Sequence, residues 1–433
     1  MNNKNIKILL INPKSINKDA LPIPPLGILS LAAFAKENGY HNIDVIDNNL
    51  KKFSNMHLIL NILKCDVVGV TGTTPQYKDA QRIIKLAKLC YKMVVCGGVH
   101  ATSVPEDMLK IGADIVVSGE GENTFIEILE YMDKKRSLES IDGISFIRDD
   151  KIITTKCRNL IKNIDLLPFP ARDLIFMNEY GNKELKRFDG VYTHIMASRG
   201  CGMHCTFCVS PIMWQYGRFM SAERIFFEMM HVYESYGIKN IHFQDDNFTA
   251  LKDRIEILCH FIKKSGIDFK WSCQTRVTNV NKGILKTMKG AGCVQIEYGV
   301  ESGDEKIIKN ARKKYTKKQI KYAFKITRET GIKTYGFFII GLPGENLFTW
   351  IKTLIFAKRL KMDSCVWTIL VPFPKTAVSQ CNEVTIIDND YANWLYKKPV
   401  IRVGILGPRI LTVMRCLADK YTNGLFNTGT YKQ

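Results

Sequence analysis

The chain has 433 residues, 46% hydrophobic and 24% charged, the balance of a globular protein too long for a single core, so two or three domains are expected. It contains no apolar run of about 18 residues to cross a membrane, and the opening MNNKNIKILLINP lacks the apolar stretch and cleavage site of a secretory signal. The 13 cysteines, an odd and mostly scattered set, argue against a disulfide framework and for a reducing, cytoplasmic setting. The net charge of +20 is spread over dispersed lysines, which reads as solvated helix faces, and no nucleic-acid partner is expected.

Residues 1–140 alternate short apolar runs with amphipathic stretches. Strand-like KILLINP (7–13), IDVID (43–47), DVVGVTG (66–72), MVVCGG (93–98) and ADIVVSG (113–119) are separated by helical spacing over 25–39, 56–65, 81–91 and 123–132. This order predicts a Rossmann-like (flavodoxin-like) α/β domain with a parallel sheet covered on both faces. Ligands bind beyond the carboxyl ends of such strands. Those ends carry Asn12, Thr71, Thr73, Thr74, Gly97, Gly98, Gly119 and Glu120, and several small residues in register point to a flat or bulky ligand approached by backbone.

Residues 141–190 read as a connector, with a hairpin over 144–155 turning at Asp149-Asp150 and a proline-bearing strap at 166–174. From 191 to 375 a second alternation supplies six strand candidates, at 193–200, 238–247, 269–276, 294–302, 334–341 and 365–374. Six βα units predict a partial (β/α)6 TIM-type barrel with its chemistry at the carboxyl-terminal rim. Residues 376–433 form a small C-terminal extension. Its helix places Leu411, Met414, Leu417 and Ala418 on one side, read either as packing on the barrel or as peripheral contact with an anionic membrane.

The first barrel strand runs into RGCGMHCTFCVSP, with Cys201, Cys205 and Cys208 in eight positions. A structural zinc site wants four ligands, usually in two separated pairs, and His204 adjoins Cys205 too closely to converge with it. Thiolates also hold iron–sulfur clusters, commonly four per cluster, so three leave one iron open.

This motif, with Phe207 before its last cysteine, resembles that of the radical S-adenosylmethionine (SAM) enzymes. The resemblance implies a [4Fe–4S] cluster on Cys201, Cys205 and Cys208 whose open iron chelates SAM. One-electron reduction by a flavodoxin- or ferredoxin-type donor would then release a 5′-deoxyadenosyl radical under anaerobic conditions. By the same resemblance Gln244, Asp245 and Asp246 fall where the SAM amino group is held. Glu301 and Ser302 match the ribose segment, Ile340 in GFFIIGLPGE the adenine segment, and Phe207 the cluster-side aromatic. Arg276 is assigned to the SAM carboxylate or to a pair with Glu301.

The amino-terminal half resembles cobalamin (B12)-binding domains fused to such barrels. That implies cobalamin contacts at Asn12, Thr71, Thr73, Thr74, Gly97, Gly98, Gly119 and Glu120, with His100 read as a cofactor contact or a polar loop residue. NPKSINKDALP (12–22) departs from the Asp-x-His-x-x-Gly pattern of domains that ligate cobalt through histidine, so no histidine ligand is expected. The pairing implies methyl transfer from methylcobalamin to an unactivated sp3 carbon of a small-molecule or lipid substrate. The alternatives are cyclisation or oxidation without methyl transfer, and an RNA-modifying enzyme, which would need a second three-cysteine set that is missing here.

Overall fold

The amino-terminal strands are apolar at nearly every position because both faces of their sheet are covered. In the computed structural model, which describes residues 5–15, 23–180 and 187–423, they are β1 (Ile8–Asn12), β2 (Ile43–Asp47), β3 (Val67–Val70), β4 (Met93–Cys96) and β5 (Ile115–Val117), parallel in the order β2-β1-β3-β4-β5. Alternate residues serve opposite cores. Leu10, Val67 and Val95 meet Ile28, Ala32 and Ile128, while Leu9, Val68 and Val94 meet Leu58, Ile83 and Met108. The register Ile11↔Val70↔Cys96↔Val116 brings the carboxyl ends of four strands to one edge.

The expected connector belongs instead to this sheet. β6 (Ile144–Arg148) pairs antiparallel with β5, and β7 (Lys151–Thr154) with β6. Asp149 and Asp150 both take positive φ, 49° and 58°, as a two-residue turn with the twist of its strands requires. The strap also packs here: Ala171 N–H donates to Leu29 at 3.0 Å, and the Tyr180 hydroxyl donates to Asp47 at 2.7 Å. A short hairpin has the same pattern whether free or docked, which hid its destination. The chain divides into Met1–Tyr180 with Ile212–Trp214, and Gly181–Pro211 with Gln215–Gln433.

The second unit holds six parallel strands, β8 (Tyr192–Ile195), β9 (Asn240–Phe243), β10 (Lys270–Thr275), β11 (Cys293–Glu301), β12 (Lys333–Ile340) and β13 (Ser364–Ile369). They lie side by side in chain order, and β8 and β13 are edges, so the barrel stays open. The stretch read as one strand over 193–200 breaks after Ile195; Ser198–Arg199 then pairs antiparallel with Arg218–Phe219. In the tail, β14 (Val384–Ile386) pairs with β15 (Ile401–Val403) before the helix Pro408–Asn423. That helix buries Leu411, Met414 and Ala418, and its Thr422 accepts from the Trp367 indole at 3.1 Å. Leu417 is 51% exposed, contrary to expectation, because six residues beyond Leu411 lies about 120° off the buried stripe at 3.6 residues per turn.

Candidate functional site

The cysteine loop opens on two left-handed glycines, Gly200 (φ 79°) and Gly202 (φ 68°), which turn the chain sharply after the two-residue strand. Backbone bonds pin it: Thr206 N–H donates to Ala311 at 3.3 Å, and Val378 N–H to Thr206 at 3.0 Å. The thiols are mutually aware. Burial first, then the charges of Asp246, Cys205 and Cys201, push the Cys208 thiol up to about 12, and burial also raises Cys201. Among the described residues no three Cys, His, Asp or Glu side chains are gathered to hold a metal ion. An iron–sulfur cluster bound to this loop would take one thiolate per iron from the three cysteines, and coordination would deprotonate them.

The end of β9 supplies the expected Gln244-Asp245-Asp246, and the structure divides their work. Asp245 is 1% exposed and accepts from Ala197 N–H at 3.1 Å and from the Ser198 hydroxyl. Burial raises its carboxyl to about 6, against the opposing charge of Arg254. Arg254 in turn donates to the Ala197 carbonyl at 2.9 Å and to Phe248 at 2.6 Å. Asp245 and Arg254 therefore fix the backbone that enters the cysteine loop. Asp246 is exposed and accepts from Ser210, just past Cys208. Gln244 is half-buried, its N–H donating to Ile195 at 2.9 Å.

The end of β11 corrects one pairing. Glu301 takes Lys313 as its partner at 2.7 Å, not Arg276. Arg276 instead donates to the Lys313 carbonyl and lies over the Tyr315 ring at 5.6 Å. The pair forms where β11 bulges between Gly299 and Glu301 and Glu301 adopts φ 62°, rare for a non-glycine residue. A Cβ on Gly299 would meet the Glu301 carboxylate at 2.5 Å and the Lys313 ammonium at 3.0 Å, so glycine clears the space for the ion pair. Burial opposes charge on Lys313, but Glu301 outweighs it and the ammonium is held above the usual lysine range. The Lys313 ammonium also lies 5.5 Å from the Phe207 ring centre, which joins the pair to the cysteine loop.

Ser302 and Ile340 are fully enclosed. Ser302 shares a hydrogen bond with Thr353 at 3.1 Å, and Ile340 pairs with Ile369. Lys313 was missed in the sequence because Arg312-Lys313-Lys314 reads as a solvated charge run. Only the fold separates them: 311–316 alternates buried and exposed residues, with Arg312 and Lys314 in left-handed backbone and Lys313 turned inward between them.

At the amino-terminal rim, side chains serve the fold and backbone is left for a ligand. Asn12 donates to Asp47 at 2.8 Å and accepts from Gln76 at 3.1 Å. Thr74 shares a hydrogen bond with His100 at 3.2 Å, and Glu120 accepts from Ile161 N–H at 2.7 Å. His100 is 2% exposed, tilted against Tyr77 at 4.9 Å, and lowered by burial to about 4, so it stays neutral. Thr73 is exposed, its N–H and hydroxyl both donating to Gln76, and Thr71 is half-buried. Gly98 (φ 92°) leaves no room for a side chain, since a Cβ would sit 2.7 Å from the Thr71 hydroxyl. A Cβ on Gly119 (φ 82°) would enter open space, with nothing within 4 Å. That cradle fits a bulky group seated on backbone.

Residues 195–357 match the model of the radical SAM superfamily, and residues 16–129 that of the B12 binding domain. An uncharacterized methyltransferase of Pyrococcus horikoshii is 36% identical over 86% of this chain and 82% of its own length. The cytidylyl-2-hydroxyethylphosphonate methyltransferase of Streptomyces wedmorensis is 29% identical over 78% of this chain and 73% of its own. The fold is shared with TsrM from Kitasatospora setae, a radical SAM methyltransferase solved with cobalamin and a [4Fe–4S] cluster. The TM-score is 0.72 at 17% identity, covering 87% of this chain and 76% of that one.

An open parallel barrel with a three-cysteine loop at its rim, preceded by a flavodoxin-like sheet, defines a radical enzyme with an added cofactor-binding domain. The chain belongs to the B12-binding-domain radical SAM family. The cofactors of that family are a [4Fe–4S] cluster, SAM and cobalamin, and the two rims suit them.

Proposed function

We propose that the protein is a C-methyltransferase that modifies an unactivated sp3 carbon of a small molecule. When bound, the cluster and SAM supply hydrogen abstraction from carbon and cobalamin supplies the methyl group. Cys201, Cys205 and Cys208 are the thiolates that hold the cluster. Gln244 and Asp246 hold the SAM amino group, Arg276 its carboxylate and Glu301 its ribose. Phe207 closes the cluster side, while Asp245, Ser302 and Ile340 keep these groups in place. The backbone of Thr71, Thr73, Gly97, Gly98 and Gly119 seats cobalamin, with Asn12, Thr74, His100 and Glu120 shaping that seat from below.

The observation that carries this reading is the Lys313–Glu301 pair under the Phe207 ring. It fixes a carboxylate beside the cysteine loop without leaving a bare charge in a buried site. Arg276, stacked on Tyr315, adds a planar cation that recognises carboxylates in bidentate fashion. A zwitterionic amino-acid head with a ribose beside it matches such a set.

A cyclase reading is favoured by one observation. An anaerobic magnesium-protoporphyrin IX monomethyl ester cyclase of Cereibacter sphaeroides is 26% identical over 90% of this chain. Reaction with methyl-deuterated SAM separates the two, because methyl transfer adds the label to product and cyclisation does not. The 13 cysteines are all free, which supports a reducing, cytoplasmic setting. No described helix is long and apolar enough to cross a membrane, and burial of Leu411, Met414 and Ala418 supports a packing role for one side of the tail helix.

A further inference from the structure

Outside the barrel rim, the same segment that buries Lys313 builds a second feature. Residues 311–316 alternate between buried and exposed: Lys313 and Tyr315 turn inward, Arg312 and Lys314 outward. Both exposed cations adopt left-handed backbone, φ 55° and 54°. With Lys309 they line a cleft of about 640 Å³ that also includes His204, from the cysteine loop itself, Tyr315 and the single lining carboxylate Glu305. The cleft therefore borders the cluster loop, and Tyr315, whose ring lies 5.6 Å from the Lys313 ammonium, stands between it and the Lys313–Glu301 pair. The Thr206–Ala311 backbone bond joins its two walls.

We infer that this cleft docks the reductant, an acidic one-electron donor protein of the flavodoxin class. Three cations against one carboxylate give the complementary charge that steers and orients an acidic partner. The cations are solvent-exposed, and His204 and the Thr206–Ala311 bond tie their cleft to the cysteine loop, so a docked flavin lies beside the loop that holds the group to be reduced. In the transfer the donor's flavin loses one electron and the iron–sulfur group gains it, with no bond made or broken. The inference rests on the radical SAM reading above.

The test compares K309Q/R312N/K314N with the parent, asparagine being tolerated at positive φ. A control, K252Q/K263Q/K264Q, removes the same charge from exposed positions on another helix. The probe is a purified acidic flavodoxin in its hydroquinone form. Binding to the cluster-loaded protein is measured by titration at low and moderate salt, and cluster bleaching is followed with flavodoxin or with dithionite.

The cleft variant should bind flavodoxin at least about tenfold more weakly at low salt, with a shallower salt dependence. Its dithionite bleaching should match the parent, and the control should bind as the parent does. Binding within about twofold of the parent, an equal loss in the control, or a parallel loss of dithionite reduction would overturn the inference. Failure of the underlying reading shows differently: dithionite-reduced parent would release no 5′-deoxyadenosine, whatever its affinity for flavodoxin.

Discussion

The two rims solve the problem of holding a cofactor in opposite ways. At the amino-terminal sheet the polar side chains are consumed by the fold, as with Asn12 on Asp47 and His100 on Thr74, and glycine backbone is left facing outward. At the barrel the reverse holds: thiols, Lys313, Glu301 and Arg276 are gathered at the rim, and glycine turns the loop or, at Gly299, makes room for the ion pair. A broad, flat ligand is held by area and close approach, whereas a small charged one is held by placed charges. Each rim should therefore fail in its own way when altered.

The largest effect should follow Cys205→Ala. Iron and sulfide in anaerobically reconstituted protein should fall from about four per chain, as one cubane requires, to background, while cobalamin uptake persists. Equal loss of both would break the separation of the rims.

Next, Lys313→Met leaves Glu301 buried without its partner and should cost about 3–5 kcal/mol by denaturant unfolding. K313M/E301Q should recover much of that stability without recovering SAM binding. A single variant as stable as the parent would remove Lys313 from the site's framework.

At the other rim, two glycine substitutions sharpen the contrast. Gly98→Ala drives a Cβ into the Thr71 hydroxyl and should cost about 1–3 kcal/mol with loss of cobalamin binding. Gly119→Ala meets no protein atom, so its cost should be only the left-handed strain of about 1–2 kcal/mol, while its cobalamin affinity also falls. Unchanged affinity in G119A would move the corrinoid seat elsewhere.

A smaller effect concerns pH. Burial raises the Glu345 carboxyl from 4.5 to about 8, partly offset by the Gly341 N–H it accepts. A carboxyl raised on folding contributes stability that is fully present below about 4.5 and is lost as pH rises through about 8. Tm should thus fall between pH 6 and pH 8 in the parent, and Glu345→Gln should flatten that slope. The smallest effect is expected for Leu417→Ala on the exposed side of the tail helix, within about 0.5 kcal/mol of the parent. Met414→Ala on its buried side should cost about 2–5 kcal/mol.

The cysteine loop was legible because three thiols at that spacing have few structural uses, and the strand order because alternating apolar runs leave few topologies. What stayed hidden depends on tertiary partners. The 144–155 hairpin gave no sign that it would pair with β5. Asp245 and Asp246 are neighbours in sequence, yet one is enclosed against Ser198 and the other faces Ser210. Glu301 was visible as a candidate, but its partner lay in a lysine run whose pattern resembles solvent-facing charge. Arg254, which braces the approach to the cysteines, carries no motif at all.

The most direct measurement is 5′-deoxyadenosine release by the reconstituted protein with SAM and dithionite under anaerobic conditions, quantified beside the Cys201→Ala, Cys205→Ala and Cys208→Ala variants. The account predicts release by the parent and none by any of the three. Release that survives loss of one of these cysteines, or a fully loaded parent that releases none, would contradict it.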